Sequence, residues 1–268
     1  MKENKKKYDS LSIRMKEYEY VTRYKLTPNT YTVCRVDGKN FSTYCKGLQK
    51  PFDDDLIEDM NSTAKHLCEN IMGCKLAFTQ SDEISLVLTD FDTIETEAWF
   101  RGNLQKICSI SSSYATSKFN QLRMLRECTY QSQEYFVPVV NEEEIQEFKL
   151  ANFDARVFQI PYIEEVINCL IWRQQDATRN SISSVAQSLY SHKELHGKNS
   201  SQLQEMIFAK GINWNDLDEG KKKGRLIVKQ QYEKNGAIRN KWDTVSIPIF
   251  SSLDGKEFLR TLLTPKQL

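Results

Sequence analysis

The stretch Thr79-Gln80-Ser81-Asp82-Glu83-Ile84-Ser85 places two acidic residues at the turn between two apolar strands. An earlier stretch, Arg35-Val36-Asp37-Gly38-Lys39-Asn40-Phe41, has a similar pattern, with Asp37 where another apolar strand ends. Because an unpaired charge at the end of a buried strand is costly, these carboxylates indicate function. Side by side, Asp37 and Asp82 offer the oxygen ligands that Mg²⁺ takes when phosphates complete its coordination. Two such ions can clamp both oxygens of a phosphoryl transfer, which predicts a nucleotidyl-transferring palm domain.

The pattern of apolar residues around these carboxylates predicts an α+β fold. One of the carboxylates at 53–55 can cap the second helix, and Gly73 marks its end. The expected elements are a charged helix over 8–24, a strand over 31–36, a helix that begins at 51–53, a hairpin over 75–88, a helix over 96–122 and a strand over 156–160. After the first helix this order is β-α-β-β-α-β, the ferredoxin-like motif of polymerase palms. Many functions use that motif, so the acidic strand ends favour the polymerase-like interpretation.

A polar, acidic stretch at 141–148 divides the chain into two predicted parts. Residues 1–140 are expected to form the palm-like catalytic core with its N-terminal helix. Residues 141–268 are expected to supply the final palm strand, long helices and a C-terminal β segment, and to pack with the core as one catalytic unit. The predicted extension comprises a helical region at 162–190, a loop rich in Lys and Ser at 192–202, and a β-hairpin over 224–232 and 237–250 with a type I′ turn at Asn235-Gly236.

Composition limits the classes of function open to the chain. The 268 residues carry 37 basic and 36 acidic side chains, so an RNA-binding surface has to come from local clustering. No run of about 18 apolar residues occurs, and no apolar segment of a secretory signal follows the Lys-rich start, so no membrane partner is expected. The seven cysteines form no Cys-x-x-Cys pair, which indicates reduced thiols and a cytoplasmic location. His192 and His196 have a spacing that suits a metal, but a polar loop is favoured because no third ligand lies nearby.

A set of short segments, spread over residues 11–228, follows the order of one known family. The segments are Arg35-x-Asp37-Gly38-x-x-Phe41, Lys50-Pro51-x-Asp53, Gln80-Ser81-Asp82-Glu83, Lys106 within a Ser-rich helix, Phe153-Asp154-Ala155-Arg156-Val157, Trp172-Arg173-Gln174-x-Asp176 and Lys223-Gly224. Together they resemble the tRNA-His guanylyltransferases and their Thg1-like relatives, which add nucleotides in the 3′-to-5′ direction.

One segment departs from the pattern of the eukaryotic tRNA-His enzymes. Those enzymes carry His-Ile-Asn-Asn-Leu-Tyr-Asn two residues after the aspartate that matches Asp176. Here that place reads Thr178-Arg179-Asn180-Ser181-Ile182-Ser183-Ser184, and Asn180 alone is kept at its position. The segment is similar to that of the Thg1-like branch, which is associated with templated repair of 5′-truncated tRNAs. The resemblance therefore favours repair over addition of a single untemplated G.

The resemblance implies a catalytic group of three carboxylates. Asp37 and Asp82 would hold two Mg²⁺ ions, together with the backbone carbonyl of Gly38, where the absence of a side chain allows close approach. Asp-Gly alone is typical of a turn, and the second acidic pair is what favours a metal site. Glu83 points to the opposite strand face from Asp82 if the strand is regular, so it would act through water or by orienting a neighbour.

The nucleotide site implied by the resemblance is larger. Arg156 suits a bidentate phosphate grip, and the Ser81 hydroxyl can donate to a triphosphate oxygen. The alternatives are simple turn chemistry at Ser81, a capped helix start at Lys50 and Asp53, and an exposed helix face at Asn180. The full set of implied nucleotide-binding residues is Lys39, Asn40, Phe41, Lys50, Asp53, Ser81, Asp82, Lys106, Arg156 and Asn180.

Basic residues of the C-terminal half are the predicted contacts to tRNA. The cluster at 221–225 fits sequence-independent contact with the phosphate backbone, although a solvated loop explains it equally well. The predicted tRNA-binding residues are Arg173, Lys198, Lys222, Lys223 and Arg225. Three tryptophans, Trp172, Trp214 and Trp242, are expected in the core rather than as platforms for bases.

The reaction implied by the resemblance has two phosphoryl transfers. ATP or GTP activates the 5′-monophosphate of a tRNA, and the 3′-hydroxyl of an incoming NTP then attacks the activated end and displaces the nucleoside monophosphate. Base pairing selects the NTP, and the protein reads the shape and phosphates of the RNA. The family also implies a homotetramer. The alternatives are a tRNA-His guanylyltransferase that adds one 5′ G, a palm-type nucleotide cyclase, for which no Gly-Gly-Asp-Glu-Phe turn is present, and a tRNA-binding module without catalysis.

Overall fold

The computed structural model describes residues 10–132 and 149–265. Its centre is one antiparallel six-stranded sheet with the strand order β4-β1-β3-β2-β5-β6. The strands are β1 (Tyr31–Gly38), β2 (Cys74–Gln80), β3 (Glu83–Leu88), β4 (Phe153–Ile160), β5 (Arg225–Lys234) and β6 (Ala237–Val245). Strands from both predicted parts of the chain therefore share one sheet, whereas the predicted boundary at 140/141 lies outside the described residues.

Nine α-helices fall within the described ranges. They are α1 (Ser10–Val21), α2 (Phe41–Tyr44), α3 (Asp54–Asn70), α4 (Leu104–Ser132), α5 (Ile163–Leu189), α6 (His192–Leu195), α7 (Ser200–Ala209), α8 (Glu219–Lys223) and α9 (Leu253–Leu263). None of these helices combines the length and apolar character needed to cross a bilayer.

The first four strands with α3 and α4 confirm the predicted palm-like α+β fold. Their chain order is β1-α3-β2-β3-α4-β4, and their order in the sheet is β4-β1-β3-β2, as expected for the ferredoxin-like motif. The C-terminal hairpin extends this sheet, because β5 pairs with β2 from Leu76↔Val228 to Thr79↔Arg225. Asn235 and Gly236 both have positive φ, as the predicted type I′ turn requires.

Both faces of the sheet are covered, because neighbouring residues on a strand point to opposite faces. Ala77 packs in a core with α3 and α4, whereas Phe78 packs in a second core with α5 and α9. Val36 lies in the first core, so the next residue, Asp37, points to the face that carries α5. The candidate metal ligand of β1, Asp37, therefore lies on the same side of the sheet as α5.

Three parts of the secondary structure differ from prediction. Helix α4 begins at Leu104 rather than 96, because Phe100, Arg101 and Gly102 have positive φ and interrupt the helical pattern. The predicted loop at 192–202 contains α6 and the start of α7, which begin with the capping boxes of Ser191 and Asn199. The C-terminal strand ends at Val245, and α9 follows instead of further β structure.

The first helix is present but does not form part of the core. It covers Ser10–Val21, within the predicted 8–24, and none of its side chains is buried. The stripe of Leu11, Met15 and Tyr18 is exposed. The stretch at 141–148, predicted to separate the two parts, lies outside the described residues.

Candidate active site

Asp37 and Asp82 come together at one edge of the sheet. Asp37 is the penultimate residue of β1 and lies directly opposite Glu83 on β3 and Asp154 on β4. Asp82 lies in the two-residue turn between β2 and β3, and its carbonyl accepts a hydrogen bond of 3.1 Å from the Gly38 N–H. That bond joins the end of β1 to the hairpin turn, so the two predicted metal ligands are held as neighbours.

The environment of Asp82 disfavours its negative charge. Burial, with smaller contributions from the nearby charges of Asp37 and Glu83, raises the pKa of this carboxyl to about 6, although hydrogen bonds from its own backbone and Ser81 partly oppose the rise. Arg156 reaches to 3.9 Å from Asp37, but the Arg156 side chain is largely exposed and Asp37 is partly exposed, so solvent screens the attraction. Among the residues that the structure describes, no cation forms an ion pair shorter than 3.9 Å with either carboxylate.

The donor set at this edge fits a hard cation that shares its coordination with phosphates. Two carboxylates and the Gly38 carbonyl are available, and Mg²⁺ is commonly bound through one or two carboxylates plus substrate phosphates. A Cβ on Gly38 would lie 2.3 Å from the Phe41 ring, so only glycine fits the chain here. Across residues 10–132 and 149–265, no group of three or more His, Cys, Asp or Glu side chains could hold a metal by itself, and this includes His192 and His196.

Glu83 has a different partner from Asp82. Its two carboxylate oxygens accept hydrogen bonds from Arg173 Nε at 2.8 Å and Nη2 at 2.6 Å, and one of them also accepts a bond of 2.9 Å from Ser85. Burial raises the pKa of Glu83, and Arg173 opposes that rise. This geometry matches the predicted role of orienting a neighbour.

Arg173, predicted to contact tRNA, is held in a buried ion pair and shows only a small part of its side chain at the shallow cleft beside Asp37 and Asp82. Its side chain is 7% exposed and also donates to Asp176 at 2.7 Å. Asp176 in turn accepts bonds from Arg179 at 2.9 Å and, more weakly, Asn180 at 3.5 Å. The guanidinium thus connects the β2–β3 hairpin to α5, and the two carboxylates compensate the cost of burying its charge.

A cavity of about 610 Å³ opens beside Asp82, within the usual size range of ligand sites. Asn180 faces it from α5 and donates to Gln80 at 3.3 Å. Asp53 faces it from the start of α3, where its carboxylate caps the helix by accepting from the Leu56 N–H at 2.8 Å. The predicted nucleotide-binding residues that line the cavity are Phe41, Lys50, Asp53, Ser81, Asp82 and Asn180.

Three other predicted nucleotide-binding residues lie near this edge but outside that cavity. Arg156 lines a shallower cleft of about 340 Å³, which also contains Asp37 and Asp82. Lys39 and Asn40 follow β1 directly and are exposed. Asn40 adopts a left-handed conformation with φ 54° and precedes α2, so its backbone shapes the chain that leads to Phe41.

The position of Lys106 contradicts its predicted role at this site within one chain. Lys106 is near the start of α4, which is anchored by a hydrogen bond from Leu104 to Tyr24. The part of α4 that contacts the candidate catalytic edge lies ten residues after Lys106, at Thr116. The Thr116 hydroxyl accepts a hydrogen bond from the Phe153 N–H. Ten helical residues correspond to about 15 Å, and the Lys106 ammonium lies over the Phe100 ring instead.

The predicted basic surface for tRNA is only partly present. Arg225 is buried, donates to Asn61 and to the Gly220 carbonyl, and has its pKa lowered by burial to about 10. Its prediction as a tRNA contact is wrong, because an arginine enclosed between α3 and β5 cannot reach an RNA backbone. Lys222 and Lys223 both pair with Glu219, and Lys198 is exposed.

Sequence reasoning missed four residues of the shallow cleft, namely Arg35, Gln80, Trp172 and Asp176. Arg35 lies two residues before Asp37 on β1, and this period of two could have identified it as a neighbour on the same face. Trp172 was expected in the core, yet its side chain is 48% exposed and faces the cleft from α5. Trp214 and Trp242 are partly buried and pack against hydrophobic clusters, as expected.

The chain is similar to a known protein family and to several of its members. The family model described as tRNAHis guanylyltransferase (Thg1) matches residues 12–161, more than half of the chain. An uncharacterized mimivirus protein, R259 of Acanthamoeba polyphaga mimivirus, is 31% identical over 251 residues, which cover 89% of this chain and 83% of that protein. The tRNA(His) guanylyltransferase of Saccharomyces cerevisiae is 28% identical over 226 residues, which cover 79% of this chain and 88% of that protein.

Two solved structures are similar over nearly the whole chain. A bacterial Thg1-like protein in complex with ATP has a TM-score of 0.80 and 41% identity, covering 95% of this chain and 99% of that chain. A bacterial Thg1-like protein in complex with GTP has a TM-score of 0.77 and 40% identity, with coverage of 96% and 100%. The crystal structure of the S. cerevisiae enzyme has a TM-score of 0.61, 27% identity and coverage of 79% and 91%.

Proposed function

The chain belongs to the tRNA-His guanylyltransferase family of nucleotidyltransferases, and we propose that within it the protein extends tRNA 5′ ends in the 3′-to-5′ direction by template pairing. Similarity to bacterial Thg1-like proteins over nearly the whole chain supports this branch. The segment Thr178–Ser184, which lacks the His-Ile-Asn-Asn pattern, supports it independently. The biological role would be repair of truncated tRNA 5′ ends.

The observation that carries the proposal is the pairing of two carboxylates with a nucleotide-sized cavity. Asp37 and Asp82 meet at the sheet edge, and the cavity of about 610 Å³ begins at Asp82. Similar proteins bind ATP and GTP, so we assign the cavity to the NTP. The exposed Ser81 hydroxyl and the Lys50 ammonium are available there for the triphosphate, where each would form a charge-assisted contact.

Mg²⁺ is part of the proposal, because the residues present fit it. Asp37, Asp82 and the Gly38 carbonyl would hold two ions, with nucleotide and RNA phosphates completing their coordination. When bound, the ions would supply charge neutralisation at the phosphates and activation of the attacking oxygen. The chain itself contributes a rigid edge, because the Gly38–Asp82 hydrogen bond holds the two strand ends in place.

The reaction requires no covalent attachment to the protein. In activation, an oxygen of the RNA 5′-monophosphate bonds to the α-phosphorus of ATP or GTP, and pyrophosphate leaves. In addition, the 3′-hydroxyl of the incoming NTP loses its proton and bonds to the RNA 5′-phosphorus, and the nucleoside monophosphate leaves. The first transfer takes place at the α-phosphorus of ATP or GTP and the second at the 5′-phosphorus of the RNA. Each has an in-line nucleophile and leaving group, so one pair of carboxylates can serve both.

Single-G addition to tRNA-His is the second candidate, and the family model and the yeast match favour it. Both candidates place the enzyme in the cytoplasm as a homotetramer that acts on tRNA. A tRNA that spans subunits would be consistent with the near balance of 37 basic and 36 acidic residues per chain. Size-exclusion chromatography with light scattering would measure the oligomeric state.

A gel assay separates the two functions. The substrate is a 5′-³²P-monophosphorylated tRNA-His that lacks its first nucleotides, incubated with Mg²⁺, ATP and single NTPs while the opposing base is varied. Growth with the complementary NTP alone supports templated 3′-to-5′ addition, whereas G addition against every base supports the guanylyltransferase. Absence of both product and adenylylated end would refute catalysis and leave a binding role. Asp82→Asn serves as the inactive control of equal size.

A further inference from the structure

Two clefts meet at the carboxylates. Gln80, Asp82 and Asn180 line both the deep cavity of about 610 Å³ and the shallow cleft of about 340 Å³. A transfer reaction needs room for two reactants at one centre. If the NTP takes the deep cavity, as proposed above, the shallow cleft is left for the RNA 5′ end.

Trp172 forms one wall of the shallow cleft and takes no part in the proposed phosphoryl transfer. Its ring is 48% exposed, although an indole normally buries most of its surface. The guanidinium of Arg173 lies 4.4 Å from the ring centroid, and that of Arg35 lies 5.7 Å away. Because Arg173 is fixed by its buried ion pair with Glu83, the ring is supported by a rigid neighbour. The cleft therefore presents a large aromatic surface beside the reacting centre.

The cations beside the ring suit a ligand that combines a flat aromatic group with phosphate. Arg35 and Arg156 lie opposite each other on β1 and β4 and line the same cleft as Trp172. The Arg35 Nε is buried and has no hydrogen-bond partner among the described residues. A nucleotide of a polynucleotide chain has both groups, its base for the ring and its phosphate for the guanidinium groups.

We infer that Trp172 stacks on the base of the 5′-terminal nucleotide of the RNA, an inference that rests on the proposed function. Stacking on an aromatic ring tolerates every base, because each base has a π face. Such tolerance suits an enzyme whose acceptor end changes its base after each addition. The incoming NTP is a less suitable partner, since Trp172 is not among the described residues that line the deep cavity.

The test is a double-mutant cycle between protein and RNA. Activation of the 5′-monophosphate is measured for wild type and Trp172→Ala, each with an ordinary tRNA and with one whose 5′-terminal nucleotide is abasic. Stacking predicts that Trp172→Ala raises the KM for ordinary RNA by roughly 10-fold or more. The abasic RNA should have a similarly raised KM with the wild-type enzyme. Combining the variant with the abasic RNA should raise the KM no further. Trp172→Phe should restore part of the affinity, and KM for ATP should stay constant.

Tyr162→Ala is the matched control, because Tyr162 is an aromatic residue with 71% exposure that directly precedes the same helix. It lies ten residues, or about 15 Å, before Trp172 and should leave the KM for RNA unchanged. Additive losses in the cycle, or an equal loss with Tyr162→Ala, would overturn the stacking inference. If the wild-type enzyme activates no 5′-monophosphorylated RNA, both the proposed function and the stacking inference are overturned. If the wild-type enzyme is active but the losses add, the stacking inference alone is overturned. Thermal unfolding of each variant verifies that it folds.

Discussion

Replacing Arg173 by Met is expected to lower the free energy of unfolding by about 3–5 kcal/mol, because it leaves the Glu83 carboxylate buried without its counter-ion. The pair is joined by two hydrogen bonds of 2.8 and 2.6 Å, and both side chains are 7% exposed, so solvent screens little of the interaction. For a chain of this size each kcal/mol corresponds to about 2–4 °C, and the Tm should fall by about 6–20 °C.

The pH dependence of this loss provides a second readout. Burial already raises the pKa of Glu83 above its usual value, and Arg173 counteracts the rise. Without the guanidinium the folded-state pKa rises further, so the folded protein retains a proton that the unfolded chain releases. Stability then falls as the pH rises above the usual glutamate pKa, and the deficit of Arg173→Met should shrink toward acidic pH.

Urea unfolding followed by circular dichroism, at pH 7.5 and pH 5, measures these quantities. Glu83→Gln should restore stability in the Arg173→Met background, because a neutral amide removes the uncompensated charge. Arg179→Met is the matched control, since Arg179 is 53% exposed and pairs with Asp176 at 2.9 Å; it should cost less than about 1 kcal/mol. A cost below about 1 kcal/mol for Arg173→Met, or an equal effect of Glu83→Gln in both backgrounds, would refute the reasoning.

Four further predictions concern the sheet edge and its surroundings. Asp37→Asn and Asp82→Asn should abolish activation and addition without loss of folding; turnover at the wild-type rate would contradict the metal assignment. Because the pKa of Asp82 is raised to about 6, Asp82→Asn should stabilise the metal-free protein at pH 7, with the gain lost below about pH 4, as measured by urea unfolding in EDTA. Gly38→Ala places a Cβ 2.3 Å from the Phe41 ring and should cost about 1–3 kcal/mol, and Phe41→Leu in the same chain should recover part of it. Arg225→Met should lower stability by about 1–3 kcal/mol without changing the salt dependence of RNA binding, and a reduced salt slope would return Arg225 to the RNA surface.

The geometry of the candidate catalytic edge was predictable because it depends on local rules. Strand alternation, the two-residue turn and the N-cap at Asp53 are properties of a few neighbouring residues, and the structure has each of them. The order of elements was likewise sufficient for the palm-like topology. Helix α9 and the late start of α4 were missed because caps and positive φ angles at Phe100 and Arg101 are weak signals in sequence.

The roles of long cationic side chains were harder to predict. Arginine usually lies on the protein surface, and only the fold reveals that Arg173 and Arg225 are enclosed by partners distant in sequence. Glu83 is 90 residues from Arg173, and Asn61 is 164 residues from Arg225. Lys106 was placed by resemblance, and its distance from the edge follows from the direction of α4. A sequence motif shows neither the burial of a side chain nor the direction of its helix. A charged residue in a motif therefore predicts that the side chain has a partner, but not which residue or ligand that partner is.

Adjacent carboxylates with separate roles explain how the edge can be both reactive and rigid. Asp82 belongs to the turn and faces the cavity, whereas Glu83 begins β3 and points to the face covered by α5, where Arg173 binds it. The same arginine supports the ring of Trp172 and binds Asp176, which in turn contacts Asn180. One buried guanidinium therefore sets the position of residues that line both clefts. An edge built in this way can leave Asp82 poorly neutralised, because the neighbouring charge is fully paired and holds the surrounding structure in place.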